Sequence, residues 1–125
     1  MKFLKIFLFL SILLVLSVGS ASATNYYVSP TGSDSNAGTL AAPWQHPAVK
    51  DTSLSAGDTL WFIDGTYTNE GMRWTGPTPN NITLKKYNGT VVMDGVNKAA
   101  VAIQAKNCVG FVVDGITIKN HLYGV

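Results

Sequence analysis

Two aspartates, Asp94 and Asp114, are the residues of this chain whose type and setting come closest to chemistry. Each is followed by glycine, as is Asp64, so an Asp-Gly step closes an apolar run three times, at intervals of 30 and 20 residues. If such steps are equivalent corners of stacked coils, successive carboxylates lie about one strand spacing apart, ~4.8 Å. Two carboxylates that close can contribute to a Ca²⁺ site, because calcium is a hard cation that takes oxygen ligands. Two are too few for its usual six to eight ligands, and Asp-Gly is also a common turn whose carboxylate points into water.

Other reactive side chains are scattered. Arg73, Lys85, Lys86, Lys98, Lys106 and Lys119 are candidate bases, but a lysine base needs its pKa lowered by burial or by neighbouring charge, and none stands in a recognisable catalytic pattern. No catalytic residue is assigned. Trp61, Trp74, Tyr26, Tyr27, Tyr67, Tyr87 and Tyr123 can supply a face for stacking on carbohydrate. Arg73-Trp74 is the expected exposed pair, because it lies in what reads as a glycine-rich loop from Gly71 to Gly76, and loops carry binding groups. Cys108 is the single cysteine, which excludes an internal disulfide framework and fits a small buried residue. Asn81-Ile82-Thr83 and Asn88-Gly89-Thr90 match the N-glycosylation pattern, which matters where the chain is exported through a glycosylating pathway.

The elements that must position these residues are strands. Residues 1–23 have the three parts of a secretory signal: Lys2 and Lys5, an apolar run from Ile6 to Val18, and the small-x-small site Ala21-Ser22-Ala23. Cleavage there predicts a secreted or cell-surface protein without a membrane anchor. It also removes two of nine basic residues and none of seven acidic ones, so the mature chain is formally neutral. That balance gives no case for a nucleic-acid partner, which requires clustered Lys and Arg. Residues 24–56 read as an N-terminal loop and capping segment, with a one- or two-turn helix possible between Pro47 and Leu54. From Gly57 onward apolar residues recur at period two: Leu60/Phe62, Ile82/Leu84, Val91/Met93, Val101/Ile103, Val109/Phe111/Val113 and Ile116/Ile118. The class is all-β. Strands are predicted at Thr59 to Ile63, Ile82 to Tyr87, Thr90 to Met93, Ala100 to Gln104, Val109 to Val113 and Ile116 to Lys119. The spacing fits both a solenoid of stacked coils and a small antiparallel β-sandwich.

The run from Tyr26 through Thr39 (YYVSPTGSDSNAGT), then Ala42-Pro43-Trp44, Gly57-Asp58-Thr59-Leu60 and Gly65-Thr66-Tyr67, resembles the opening of right-handed parallel β-helix proteins of the pectate lyase type. Val109-x-Phe111-x-Val113-Asp114-Gly115-Ile116-x-Ile118-x-Asn120 is similar to one ordinary coil of that fold. The resemblance implies a right-handed parallel β-helix over 57–125 that is truncated at its C-terminus, because Asn120 to Val125 reads as the lead-in to a further coil. It implies an acidic polysaccharide as partner, and a calcium-assisted lyase reaction that removes a proton alpha to a uronate carboxylate. The other reading is a non-catalytic β-helix used for glycan binding or structure. On either reading the expected site residues are Arg73 and Trp74 for substrate and Asp94 and Asp114 for metal.

Overall fold

The computed structural model describes residues 22–47, 53–75, 80–96 and 101–122. Residues 1–21 of the expected signal, most of the short helix expected between Pro47 and Leu54, Lys98 and Tyr123 lie outside the described residues. Nine strands are present: β1 (Asn25–Val28), β2 (Thr59–Phe62), β3 (Gly65–Thr68), β4 (Met72–Thr75), β5 (Thr83–Lys86), β6 (Val91–Asp94), β7 (Ile103–Lys106), β8 (Val112–Asp114) and β9 (Ile116–Lys119). No α-helix occurs among the described residues.

The strands form three sheets, ordered β1-β2-β5-β8, β3-β6-β9 and β4-β7. Every pairing between them is parallel. Parallel neighbours cannot be joined by a tight hairpin. Here β3 and β4 intervene between β2 and β5, so the chain visits the other two sheets before it returns to pair with itself. Thr59 stands opposite Thr83 and Thr83 opposite Val112, while Gly65 stands opposite Val91 and Val91 opposite Ile116. The all-β class therefore holds. The pairing is consistent with a β-helix and is not the antiparallel ladder that a sandwich would show.

Alternation along each strand decides which side chains are buried. Leu60 and Leu84 are partners in the first sheet, Tyr67 and Met93 in the second, and Met72 and Ile103 in the third, all turned into one core. Leu60, Leu84, Met93, Met72 and Ile103 are wholly buried. Two strands lie where the sequence was read otherwise. Gly65-Thr66-Tyr67, outside the predicted strands, is part of β3, whose Tyr67 is its one buried position. Residues 72–75, expected within a loop, are β4.

The corners between strands rest on residues that tolerate left-handed backbone. Among the described residues, positive φ outside glycine occurs at Asn69, Asn81, Asn107 and Asn120, all asparagine and all within 57 to 59°. Asparagine visits this region because its short polar side chain bonds locally. The Gly57-Asp58 step works as its residue types dictate. Gly57 has φ 89°, and the buried Asp58 carboxylate accepts from the N–H groups of Thr24 (2.8 Å) and Ser55 (2.7 Å). At the N-terminal end, Trp44 bridges in parallel to Val28, stacks on Tyr26 at 4.7 Å and donates its indole N–H to the Asn36 carbonyl. The Trp44 ring lies directly against Gly38, whose φ of 78° and lack of a side chain leave room for it.

Leu84→Ala is expected to destabilise the protein by about 2–5 kcal/mol, because it empties a wholly buried site between Leu60 and Val113. Asn69→Val is expected to cost about 1–2 kcal/mol through backbone strain alone. Urea-unfolding midpoints check both, and equal stability of Asn69→Val and the parent would refute the corner argument.

Candidate functional site

The outer surface of the first sheet follows from its core. With Tyr26, Leu60, Leu84 and Val113 in register on the inner side, the next residues in register, Tyr27, Trp61, Lys85 and Asp114, form a ladder on the outer side. Trp61 donates its indole N–H to Asn25 Oδ1 at 3.0 Å, which fixes the ring. Tyr87, one residue past β5 and 43% exposed, sets its ring edge-on to Tyr27 (5.5 Å) and to Trp61 (6.1 Å). Lys85 Nζ lies 5.7 Å from the Trp61 ring centre and 3.2 Å from Asp114 Oδ2. Three aromatic rings with an ammonium beside them can contact the C–H faces of a sugar and the carboxylate of a uronate.

The expected substrate pair is divided. Trp74 lies on β4 with its ring 5.1 Å from Phe111 and is 4% exposed, so it is a core residue and not an exposed platform. Arg73 is exposed. Adjacent residues of a strand face opposite ways, so the two cannot form one binding surface.

The expected metal pair is also divided. Asp94 ends β6 in the second sheet, opposite Lys119, whereas Asp114 ends β8 in the first, opposite Lys85. They are not stacked corners. Asn120 Nδ2 donates to Asp94 Oδ1 at 2.7 Å, and Lys119 Nζ lies 3.1 Å from Oδ2. The Asn120 bond chiefly holds the Asp94 carboxyl below the usual range; burial opposes it, and the bond and charge of Lys119 add to it. With each carboxylate already held by its own lysine, the two as a pair do not fit a calcium ion. Among the described residues no group of three His, Cys, Asp or Glu side chains assembles for a metal.

A second polar locus was not foreseen in the sequence. Asp34, His46 and Glu70 converge beside a cleft of about 220 Å³ lined by Pro30, Gln45, Thr66, Tyr67 and Thr68 as well as His46 and Glu70. His46 Nδ1 is 2.7 Å from Asp34 Oδ2, and Nε2 is 4.0 Å from Glu70 Oε1. Asp34 Oδ1 accepts from the backbone N–H of Gln45 (3.1 Å) and of His46 (2.9 Å). The Asp34 bond is the main reason the imidazole is raised above its ordinary value; burial opposes it, and the charges of Glu70 and Asp34 add to it. Burial would raise the Asp34 carboxyl, but the bonds from His46 and Gln45 outweigh it and hold the group low. Tyr67 lies too high to titrate here: burial pushes its hydroxyl well above the ordinary value, and the carbonyls of Val28 (2.9 Å) and Ile63 (2.8 Å) share it.

Alternation held the signal for the first surface, since inward Leu60 and Phe62 force Trp61 outward. No comparable signal marks the second, because Asp34, His46 and Glu70 meet only when the N-terminal loop folds onto β3.

No protein-family model matches the chain. Among curated proteins, pectate lyase PEL9 of Emericella nidulans is 38% identical over 77 residues, which take in 58% of this chain and 19% of that protein. The chain thus spans about a fifth of the length of this relative. No solved structure matches.

A raised imidazole contributes stability that is complete below the unfolded value near 6.5 and is lost as pH rises through the folded value. A lowered carboxyl contributes above its unfolded value and loses that contribution as pH falls through the folded one. The Asp34–His46 pair therefore stabilises most between the two. Asp34→Asn is expected to destabilise more at about pH 5 than at about pH 8, and to return the His46 titration toward the ordinary value near 6.5. Urea melts and the His46 ring proton shift check this; an unchanged titration midpoint would refute the pairing.

Proposed function

We propose that the chain forms the N-terminal coils of a secreted, right-handed parallel β-helix protein that acts on acidic polysaccharide, most like a pectate or related uronate lyase. The likeness to pectate lyase PEL9 carries the reading. Parallel pairing throughout the three sheets is what such a fold requires, and the outer face of the first sheet offers the side chains that an acidic glycan uses.

On this reading Lys85 positions substrate. A uronate carboxylate would bond to its ammonium while the sugar ring lies against Trp61 and Tyr87. The Asp114 carboxylate 3.2 Å away holds the Lys85 ammonium in place as a charge-assisted hydrogen-bond donor, a role in binding. We assign no base among the described residues, and no step of the proposal runs through a metal. The same pairing of Lys85 favours a second reading, a non-catalytic β-helix that holds glycan without cleaving it.

The test is to incubate the exported protein with polygalacturonate, in calcium and in chelator, and to follow the absorbance of unsaturated uronate. Retardation of the protein in a gel containing the polymer measures binding separately. Product formation supports the lyase; retardation without product supports the binding protein; neither would refute both. Trp61→Ala is expected to weaken retardation about 2- to 10-fold, the equivalent of an aromatic contact of ~0.5–1.5 kcal/mol.

A further inference from the structure

The two N-glycosylation sequons have different fates in the fold. In Asn81-Ile82-Thr83 the asparagine is exposed but the two residues after it are built into the fold. Asn81 holds φ 57°, donates its backbone N–H to the Val109 carbonyl at 2.8 Å, and packs its Oδ1 against Gly110 so closely that any Cβ there would collide with it. Ile82 is wholly buried, and Thr83 lies inside the first sheet between Thr59 and Val112.

Asn88-Gly89-Thr90 stands clear of it. These residues belong to the corner from Tyr87 to Thr90 between β5 and β6, in which all four residues are exposed. The matching corners are shorter, Ile63-Asp64 between β2 and β3 and Gly115 alone between β8 and β9. The longer corner is pinned to its neighbour at two points: Asp64 donates its N–H to Asn88 Oδ1 (3.0 Å), and Thr90 donates its N–H to Asp64 Oδ1 (2.7 Å). A carboxamide is planar, so an oxygen turned to Asp64 leaves Nδ2 on the other branch, away from that contact. Neither Asn88 Nδ2 nor the Thr90 hydroxyl has a protein partner among the described residues.

We propose that Asn88 is a site of N-linked glycan attachment and that Asn81 is not. The donor is an oligosaccharide linked to a lipid pyrophosphate. A bond forms between Asn88 Nδ2 and C1 of the first sugar, the bond from C1 to the pyrophosphate oxygen breaks, and one amide proton leaves as the lipid pyrophosphate departs. Nδ2 keeps its second hydrogen, and Oδ1 keeps its bond to Asp64, so the corner survives the modification. The Asn81 sequon differs in that Ile82 is wholly buried and Thr83 lies within the first sheet, so a transferase can engage it only before those residues fold, and folding withdraws it.

The inference rests on the secreted reading, and the experiment separates the two. The full chain is expressed in yeast with its own leader and, in parallel, behind a leader of known efficiency. Absence of export with its own leader alone counts against the secreted reading. Exported protein from either source is treated with a glycan-releasing amidase in heavy-oxygen water, which turns a glycosylated asparagine into labelled aspartate, and is mapped by peptide mass spectrometry. Label at position 88 that exceeds the spontaneous Asn88-Gly89 deamidation seen without amidase, and none at 81, is the expected result. No such excess at 88, or equal label at 81, would overturn the proposal. Thr90→Ala, which leaves both backbone bonds of the corner in place, should abolish the excess at 88 while the protein is still exported.

Discussion

Parallel, in-register pairing of strands well separated along the chain is the constraint from which the rest of the structure follows. Backbone N–H and C=O groups of a strand must find partners, and a chain returning in the same direction satisfies them only after leaving the sheet and coming back. The intervening residues become strands of two other sheets. Register then settles everything above the backbone: that Leu60 meets Leu84 inside, that Trp61 meets Lys85 outside, and that Asp94 meets Lys119 and not Asp114.

Much of this was legible in the residues. Period-two runs marked β2, β6 and β9, which carry apolar residues two apart, and β5, whose Leu84 follows Ile82 at the same spacing. β3 was missed because glycine and two threonines surround its one core residue, and a single Tyr67 makes no period. β4 does alternate, with Met72 and Trp74 buried around an exposed Arg73, but the glycines on either side read more strongly as loop. β7 begins later than expected and runs into Ala105 and Lys106, which carry little strand preference of their own.

The site was less legible, for a geometrical reason. Counting residues between Asp-Gly steps assumes corners of equal length, whereas those between the first and second sheets hold two residues, four and one. Asp64 and Asp114 fall at or beside such corners, while Asp94 falls at the opposite end of β6, the central strand of the second sheet. The outer aromatic surface was implicit in the alternation, but its assembly needed strands from three separate segments. The Asp34–His46–Glu70 cluster depends on a loop folding onto a strand, a relation that no local pattern encodes.

Both lysine–aspartate pairs described above join residues directly opposite one another on adjacent strands, Lys85 with Asp114 and Asp94 with Lys119. Such pairs add little to stability when they face solvent, as Lys85 and Asp114 do, on the order of 0–1 kcal/mol, whereas Asp94 is largely buried. Their larger effect is on choice among misalignments. A slip of one residue would turn the core side chains of β8 or β9 to water and, in β9, at the same stroke set Asp94 opposite Ile118 or Asn120 in place of Lys119. The Asp94–Lys119 pair thus acts as a vernier on the second sheet, so that β9 settles only where hydrophobic and ionic marks coincide.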